Sequence, residues 1–514
     1  MTTERRPLQS QISPNIFIHA GTKPRTPRYE RTEERNARRR SRSRSSPSRQ
    51  DEDGDSNGGD DDDDEVSSTT TRRCRSRPRS RSALKSQLRL VFFITGNPGL
   101  VAYYHPFLSF VVRDLTEQKR ERCADADADV VVVVGMSLGG FDVRSTHGTH
   151  GGEGARKRRG GGAGAGSYSK ADSHPGSRSR SDSASLHEWE EQRLLYPATF
   201  KRGGGKLFTL RDQVDLSYAR VEDLVDRIQH EQDGQPVEVD VVLMGHSVGA
   251  YICLEVVRLW HERHTAGQDI QTSSNTSTPA KVTLSSRSAP LWSPTACILL
   301  TPTIQDIHLS PSGLIATPLL TNLPFLPFLA QILVRSVLLR LVPASWFAAL
   351  VSRVTGMQPG SHGLEATLVF LRSEEGVEQA LHMASWEMEE IRQNRWGTEV
   401  WGASHGETLA VAAEEKRYPS PRLFFWFSKD DHWVAEMTKK AIIEGQAPGT
   451  AVHRRHVAGS AETAETDEIA VQVDGTKETF GASPTIRILE SEGLQHAWCL
   501  AQSEIVAKGV RQWL

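Results

Sequence analysis

The sequence predicts an α/β fold, in which a mostly parallel sheet is covered by helices on both faces. Short apolar runs that are typical of buried strands recur along the chain after residue 87, and one of them is almost pure valine. Segments with apolar residues at helical spacing lie between several of these runs. Strands that alternate with helices in this way form parallel sheets, whose strands are buried on both faces.

The composition indicates one sizeable domain that is diluted by unstructured segments. Of the 514 residues, 37% are hydrophobic, which is below the usual ~45–50% (a figure that also counts glycine). Lysine and arginine total 62 and aspartate and glutamate total 64, so the net charge is −2. These values exclude fibrous proteins, polytopic membrane proteins and uniformly basic nucleic-acid binders. The five cysteines form no C-x-x-C pair, so neither a disulfide framework nor a cysteine-rich zinc site is expected.

Residues 1–87 are predicted to be a disordered tail. Arginine–serine repeats at 38–49 and 72–82 flank an acidic block at 51–65, and few apolar side chains are present to offset the conformational entropy lost on folding. The repeats are similar to those of splicing factors, so RNA and anionic lipid are the alternative partners. No interleaved aromatic residues or RNA-binding fold accompany the repeats, so we favour a solvated tail and expect no nucleic acid to bind.

Residues 88–514 are predicted to form the folded domain. The apolar runs that predict its strands lie at 88–95, 128–135, the start of 238–260, 296–303, 422–428 and 483–491. Apolar residues at helical spacing predict an amphipathic helix over 210–230, and another helix is expected from Ser503 onward. Two segments rich in glycine, serine or threonine, at 147–183 and 264–290, are expected to loop out of the domain.

A nucleophilic serine is predicted at a sharp turn between a strand and a helix. The sequence GHSVG at 245–249 fits the pattern G-x-S-x-G, follows the apolar run VDVVLM and precedes an apolar helix. Small residues around the serine leave room for the strained turn that exposes its hydroxyl group. At such a turn the backbone N–H of Val248 can donate a hydrogen bond to an oxyanion. These features predict the α/β-hydrolase fold, with Ser247 as the nucleophile.

A second match to the same pattern is GMSLG at 135–139, directly after the valine-rich run. The residues after Ser137 lead into the glycine-rich segment rather than into an apolar helix, and the turn that exposes a nucleophile requires that helix. We therefore favour Ser247 over Ser137 as the nucleophile.

The base and the acid that activate such a serine are expected later in the chain. In this fold an aspartate or glutamate and then a histidine follow the serine, in loops after late strands. His496 lies in GLQHAW after the last predicted strand, and Asp430 and Asp431 lie in SKDDHW after the strand before it. Either aspartate fits by position. The loop GNPG at 96–99 follows an earlier strand, and we expect it to supply a second oxyanion donor, from Asn97.

A hydrophobic cap is predicted over 310–418, because about 120 residues separate two strands there and the fold does not need so many. Residues 310–334 carry no charge and are numerous enough to span a bilayer, but Pro318, Pro324 and Pro327 interrupt them. A crossing would also put strands of one sheet on opposite sides of the membrane. We favour broken apolar helices that lie in a lipid surface. The alternative is a soluble cap that lines a lipid-sized pocket, and both imply an apolar substrate.

Five segments together resemble one family of hydrolases. They are GNPGLVAYYHPF at 96–107, GHSVGAY at 245–251, TPTIQDIHLSPSG at 301–313, DHW at 431–433 and QHAW at 495–498. Over about 88–514, apart from the low-complexity segments, the chain is similar to the lipid droplet-associated hydrolases. The resemblance implies that Ser247 is the nucleophile, Asp431 the acid and His496 the base.

The resemblance also implies a serine esterase that cleaves carboxylic esters of neutral lipids, with sterol esters as candidate substrates. It implies a hydrophobic segment, after the S-P-x-G motif, that attaches the protein to lipid droplets. The expected location is the droplet surface and the cytosolic face of the endoplasmic reticulum membrane. No metal ion or cofactor is expected. The alternative function is that of a catalytically weak protein that organises lipid storage through its hydrophobic insertion.

Overall fold

The computed structural model describes most of the predicted domain and a short part of the predicted tail. The described residues are 8–21, 88–121, 130–143, 189–203, 205–230, 237–265, 290–402, 418–444, 451–456 and 486–514. Most of the predicted tail, the segment 147–183 and most of 264–290 lie outside these ranges, so their predicted disorder stays a prediction.

Within the described residues, nine strands form one sheet. They are β1 Gln11–Ile12, β2 Ile16–His19, β3 Leu88–Ile94, β4 Val130–Met136, β5 Val239–His246, β6 Trp292–Leu300, β7 Arg422–Ser428, β8 Ala451–His456 and β9 Ile486–Glu492. Their order across the sheet is β1-β2-β4-β3-β5-β6-β7-β9-β8. Strands β3 to β9 are mutually parallel, and β2 pairs antiparallel with β4 at one edge. All six predicted strands are present.

Helices connect the strands. They are α1 His105–Glu121, α2 189–195, α3 Leu210–His230, α4 Val248–Thr265, α5 Pro311–Asn322, α6 Leu326–Leu341, α7 Ala344–Thr355, α8 His362–Arg372, α9 Gly376–Glu390, α10 Thr398–Trp401, α11 Glu436–Glu444 and α12 Ser503–Arg511. Short 3-10 turns lie at Val101–Tyr104, Ile307–Leu309 and Trp498–Leu500. The helix predicted over 210–230 is confirmed with those bounds.

An apolar core lies on each face of the sheet. Leu90 and Phe92 of β3 pack into the core that contains α3 and α4, whereas Phe93, the next residue, packs into the core that contains α1 and α12. Successive side chains of a strand point to opposite faces, so one apolar strand contributes to both cores. The predicted α/β-hydrolase arrangement, a mostly parallel sheet with helices on both faces, is confirmed.

Part of the predicted tail is ordered. Residues 8–21 contain β1 and β2, and Ile16 and Phe17 of β2 are 0% and 3% exposed. The prediction that all of residues 1–87 are disordered is therefore wrong for 8–21. Strand β2 covers the edge of the valine-rich β4, which would otherwise leave a row of unpaired backbone groups.

The cap predicted over 310–418 begins as a series of helices, α5 to α9. Pro318 lies inside α5 and does not end it, whereas Pro324 lies in the break between α5 and α6, and Pro327 lies in the first turn of α6. The apolar segment is therefore broken once. In the part of the chain that the structure describes, no single helix has the length and hydropathy of a membrane span, but α5 and α6 reach them together as a pair bent by 91°.

Candidate active site

Ser247 forms a sharp turn between β5 and α4. Its φ of 53° lies in the left-handed region, which non-glycine residues rarely adopt. The flanking glycines allow the backbone to approach closely at this turn. A Cβ atom on Gly245 would lie 2.3 Å from the carbonyl oxygen of Gly249, and one on Gly249 would lie 2.4 Å from the carbonyl oxygen of Ile94. The G-x-S-x-G pattern is therefore required by the backbone geometry at this position.

Three of the predicted site residues lie within hydrogen-bond distance of one another. The Nε2 atom of His496 is 3.0 Å from the Oγ atom of Ser247. The Nδ1 atom of His496 is 2.8 Å and 2.9 Å from the two carboxylate oxygens of Asp431. A carboxylate only accepts hydrogen bonds, so Nδ1 of a neutral ring carries the proton and Nε2 is free to accept one from the serine hydroxyl.

Asp431, rather than its neighbour Asp430, contacts His496. The Asp431 side chain is 2% exposed, and its Oδ1 atom also accepts a hydrogen bond of 2.9 Å from the backbone N–H of Trp433. Burial by itself raises the pKa of the Asp431 carboxyl, but the hydrogen bond and charge interaction with His496, together with the Trp433 N–H, hold that pKa below its ordinary value. Asp430 is exposed. The structure thus places only one of the two candidate aspartates against the histidine.

The serine of the second pattern match, Ser137, has a different environment. It is 0% exposed, and its hydroxyl accepts a hydrogen bond of 3.0 Å from the backbone N–H of Val101. Its carbonyl accepts a hydrogen bond of 2.8 Å from the guanidinium of Arg220, and its N–H donates one of 2.9 Å to the carbonyl of Asn15. These contacts join the end of β4 to its surroundings, which is a structural role.

Two backbone segments near Ser247 are predicted to donate hydrogen bonds to an oxyanion. Val248 is the first residue of α4, and the N–H groups of a first helical turn have no acceptor within the helix. The loop 96–99 approaches Ser247 closely, since a Cβ atom on Gly96 would lie 3.1 Å from the Cβ atom of Ser247. The backbone at Gly96 therefore lies close to the side chain of Ser247.

The side chain of Asn97 is engaged by the insertion. Its Nδ2 atom donates hydrogen bonds of 2.9 Å to the carbonyl oxygen of Ala380 and to a carboxyl oxygen of Glu387, both on α9. If Asn97 contributes to an oxyanion site, its backbone N–H is the available donor. Glu387 is 5% exposed, and burial raises its pKa to about 8, so the carboxyl is protonated at neutral pH. Nothing in WEMEE, the local sequence, distinguishes Glu387 from its acidic neighbours.

The first helix of the insertion begins beside the loop that carries Asp431. The backbone N–H of Ser312, in the first turn of α5, donates a hydrogen bond of 2.9 Å to the carbonyl oxygen of His432, the residue after Asp431. The insertion therefore contacts both the loop that follows β3 and the loop that follows β7.

The exposed large apolar side chains of residues 309–354, which we call the apolar surface, set the insertion apart. Fifteen of the 19 such exposed side chains in the described part of the chain lie in this segment, so the exposure is concentrated rather than scattered. The most exposed are Val354 at 77%, Leu341 at 75%, Ile315 and Phe325 at 74%, and Trp346 at 73%. Concentrated apolar exposure of this kind marks surfaces that contact a protein, a membrane or another apolar phase.

The described residues contain no cluster of three or more histidine, cysteine, aspartate or glutamate side chains that is placed to hold a metal ion. The free cysteines Cys253, Cys297 and Cys499 are buried, and burial raises the pKa of each thiol.

Several solved structures are similar to this chain at low sequence identity and low TM-score. A peroxisomal α/β-hydrolase from Saccharomyces cerevisiae is 11% identical, with a TM-score of 0.36 over 85% of this chain and 79% of that chain. A thermophilic esterase from Thermogutta terrifontis is 13% identical, with a TM-score of 0.31 over 83% and 89% of the two chains. Epoxide hydrolase I from potato (Solanum tuberosum) is 12% identical, with a TM-score of 0.32 over 83% and 93%.

The comparison with protein families is more specific. The model of the lipid-droplet associated hydrolases matches residues 87–159 and 173–499, which together make up well over half of the chain. The match includes the loop after β3, the turn at Ser247, the insertion and the loops that carry Asp431 and His496. The chain belongs to the lipid-droplet associated hydrolase family.

Proposed function

We propose that this hydrolase is a serine esterase that cleaves carboxylic esters of neutral lipids at the surface of lipid droplets. The observation that carries the proposal is the series of hydrogen bonds from Ser247 through His496 to Asp431. Family membership supports hydrolytic activity and droplet association. The roles of the three side chains and the class of ester are the proposed part.

In the proposed reaction, Ser247 attacks the ester carbonyl while Nε2 of His496 takes the hydroxyl proton. Asp431 holds the proton of Nδ1 and stabilises the imidazolium that forms. The backbone N–H groups of Val248 and Asn97 donate to the oxyanion of the tetrahedral intermediate. His496 then protonates the leaving alcohol, and a water molecule that it deprotonates releases the acid from the acyl-enzyme. The reaction uses only groups of the chain and water.

The position of the insertion supports a lipid substrate. The helix α5, which carries the exposed Ile315, begins at a hydrogen bond to the loop of Asp431. A lipid phase that contacts this helix therefore lies next to the reacting groups, and an ester could reach them without crossing water. Sterol esters enter the proposal through the family resemblance. We extend the proposed location to the cytosolic face of the endoplasmic reticulum membrane, to which the apolar surface would also bind.

Reaction with a fluorophosphonate probe tests the proposed nucleophile without knowledge of the natural ester. We expect the wild type and Ser137→Ala to be labelled and Ser247→Ala to remain unlabelled. Ser137→Ala is a matched control, because Ser137 occupies the same pattern but its hydroxyl contacts the backbone N–H of Val101 rather than a histidine. Equal turnover of triacylglycerol or cholesteryl ester emulsions by the wild type and Ser247→Ala would overturn the esterase proposal.

A second candidate function is the organisation of lipid storage without catalysis, and the apolar surface favours it. Under this alternative, a droplet phenotype persists in Ser247→Ala but disappears when Ile315 and Phe325 are both replaced by serine. Loss of the phenotype in Ser247→Ala, with droplet binding unchanged, instead supports the esterase.

A further inference from the structure

The residue before the proposed nucleophile, His246, is buried and has a hydrogen-bond partner at each ring nitrogen. Its Nε2 atom is 2.8 Å from the carbonyl oxygen of His496. Its Nδ1 atom is 2.7 Å from the hydroxyl oxygen of Tyr104. The exposed fractions of His246 and Tyr104 are 5% and 3%. Neither residue is part of the proposed triad.

The chemistry of the partners determines the direction of each hydrogen bond. The carbonyl of His496 can only accept, so Nε2 of His246 carries the proton. Burial lowers the pKa of His246 to about 3, so the ring is neutral and its Nδ1 accepts from the Tyr104 hydroxyl. The oxygen of Tyr104 in turn accepts a hydrogen bond of 3.1 Å from the backbone N–H of Gly96. Every donor in this series therefore meets an acceptor.

This series of hydrogen bonds joins two loops whose relative position matters for the proposed reaction. One end is Gly96, which precedes Asn97 in the loop proposed to hold the oxyanion. The other end is the main chain of His496, whose ring is held separately by Asp431. The hydroxyl of Thr301 also approaches the His496 carbonyl, but at 3.5 Å, so the contact from His246 is the shorter one.

We propose that His246 and Tyr104 are positioning residues, which hold the main chain of His496 and the loop of Gly96 at their places around Ser247. This inference rests on the proposed esterase function. A displacement of reacting groups by about 1 Å can lower a rate by roughly 100-fold, so the orientation of these loops matters to the reaction. His246 and Tyr104 act on the reaction only through the residues they hold.

Ring packing alone does not explain why Tyr104 and His246 carry polar atoms at these buried positions. The rings of Tyr104 and His246 both pack against Trp498, at centroid distances of 5.8 Å and 5.1 Å, and a phenylalanine in place of Tyr104 would preserve the ring contacts. Tyr104→Phe then leaves the Gly96 N–H and the His246 Nδ1 without their partner. The adjacent Tyr103 offers a matched control, because its buried hydroxyl is 3.1 Å from the Oγ1 atom of Thr367.

The test compares Tyr104→Phe, His246→Leu and His246→Gln with Tyr103→Phe. For each variant, the rate constant of fluorophosphonate inactivation, kcat and KM on a soluble p-nitrophenyl ester, and Tm are measured. We expect Tyr104→Phe and His246→Leu to lower kcat and the inactivation rate by roughly 10- to 100-fold with little change in KM. His246→Gln retains a donor for the His496 carbonyl, so its kcat should lie between those of His246→Leu and the wild type. Tyr103→Phe should lower Tm without lowering kcat.

Two results would overturn the inference. One is that Tyr104→Phe and Tyr103→Phe have equal kcat values at similar Tm. This comparison overturns the inference even if His246→Leu fails to fold. The other is an equal loss of activity in His246→Gln and in a folded His246→Leu. If the wild type itself does not react with the probe, the proposed function fails, and this inference fails with it. If the wild type reacts with the probe, Ser247→Ala does not, and all four variants react like the wild type, only this inference is overturned. The proposed function then stands.

Discussion

The side-chain amide of Asn97 donates a hydrogen bond of 2.9 Å to the carboxyl group of Glu387. The two residues are 290 positions apart, one in the loop after β3 and the other on α9 of the insertion. This contact joins the insertion to the loop beside Ser247. It also places a nearly fully buried carboxyl group close to the proposed oxyanion site.

The burial of Glu387 predicts that stability falls as the pH rises, although the hydrogen bond from Asn97 opposes part of the effect of burial on the Glu387 pKa. In the unfolded chain Glu387 ionises near its ordinary value of 4.5, whereas burial raises its pKa in the folded state to about 8. Between these values the folded state binds more protons, so the free energy of unfolding decreases with pH. The upper limit of this slope is about 1.4 kcal/mol per pH unit.

Glu387→Gln should remove this slope, because the amide keeps an acceptor for Asn97 but cannot ionise. We expect the variant to be more stable than the wild type at pH 8 by a few kcal/mol at most, and closer to it at pH 4.5, as measured by denaturant unfolding. Glu389→Gln, an exposed position on the same helix, is the control. The prediction is wrong if both variants keep the wild-type slope.

Replacement of the proposed acid should affect catalysis far more than replacement of its neighbour. Asp431→Asn leaves an amide that favours the wrong tautomer of His496, with the proton on Nε2 facing Ser247, and we expect kcat to fall by about 10⁴-fold. Asp430→Asn should retain nearly wild-type kcat, because Asp430 is exposed. Steady-state kinetics on a soluble ester distinguish the two variants. A similar loss in both would contradict the assignment of Asp431.

The approach of the loop 96–99 to Ser247 predicts that Gly96 does not tolerate a side chain. A methyl group there would lie 2.8 Å from Nδ1 of His246 and 3.1 Å from Cβ of Ser247, so the loop must shift. We expect Gly96→Ala to lower the rate of fluorophosphonate labelling by at least about tenfold. Gly205→Ala, at an exposed glycine whose nearest contact would be an ordinary 3.6 Å, is the control and should be labelled like the wild type.

The apolar surface should determine binding to lipid. Ile315→Ser combined with Phe325→Ser removes two side chains that are each 74% exposed. At about 1.5 kcal/mol for each buried side chain, we expect partition onto protein-free triolein droplets to fall by roughly 100-fold. Flotation of the droplets measures the bound fraction. Trp189→Ser combined with Met437→Ser, which removes exposed apolar side chains outside the insertion, should float like the wild type. Equal loss in both double variants would contradict a specific role of the insertion.

Much of the fold was predictable because its signals are local. The turn at Ser247 needs a strand before it, a helix after it and two glycines around it, and all of these lie within one continuous segment. The helix over 210–230 was likewise predictable, since its apolar face is encoded by spacing within the helix itself.

Other features escaped prediction because their signals are weak or distant. Strand β2 is four residues long, and the charged composition of residues 1–87 as a whole hides the short uncharged segment at 7–22 that contains it. The sequence around Glu387 and around His246 does not reveal their contacts, because each is buried against residues from distant parts of the chain.

The sequence by itself determined the order of the elements, the serine at the turn and the charge-free segment of the insertion. The family resemblance already indicated Asp431, and the structure added the burial and the contact with His496 that Asp430 lacks. Only the tertiary structure brought Ser247, His496 and Asp431 together and buried Ser137. The physical reason is that strand and helix formation depends on neighbours in the chain, whereas hydrogen bonds across a folded site depend on residues that only the packed sheet brings together.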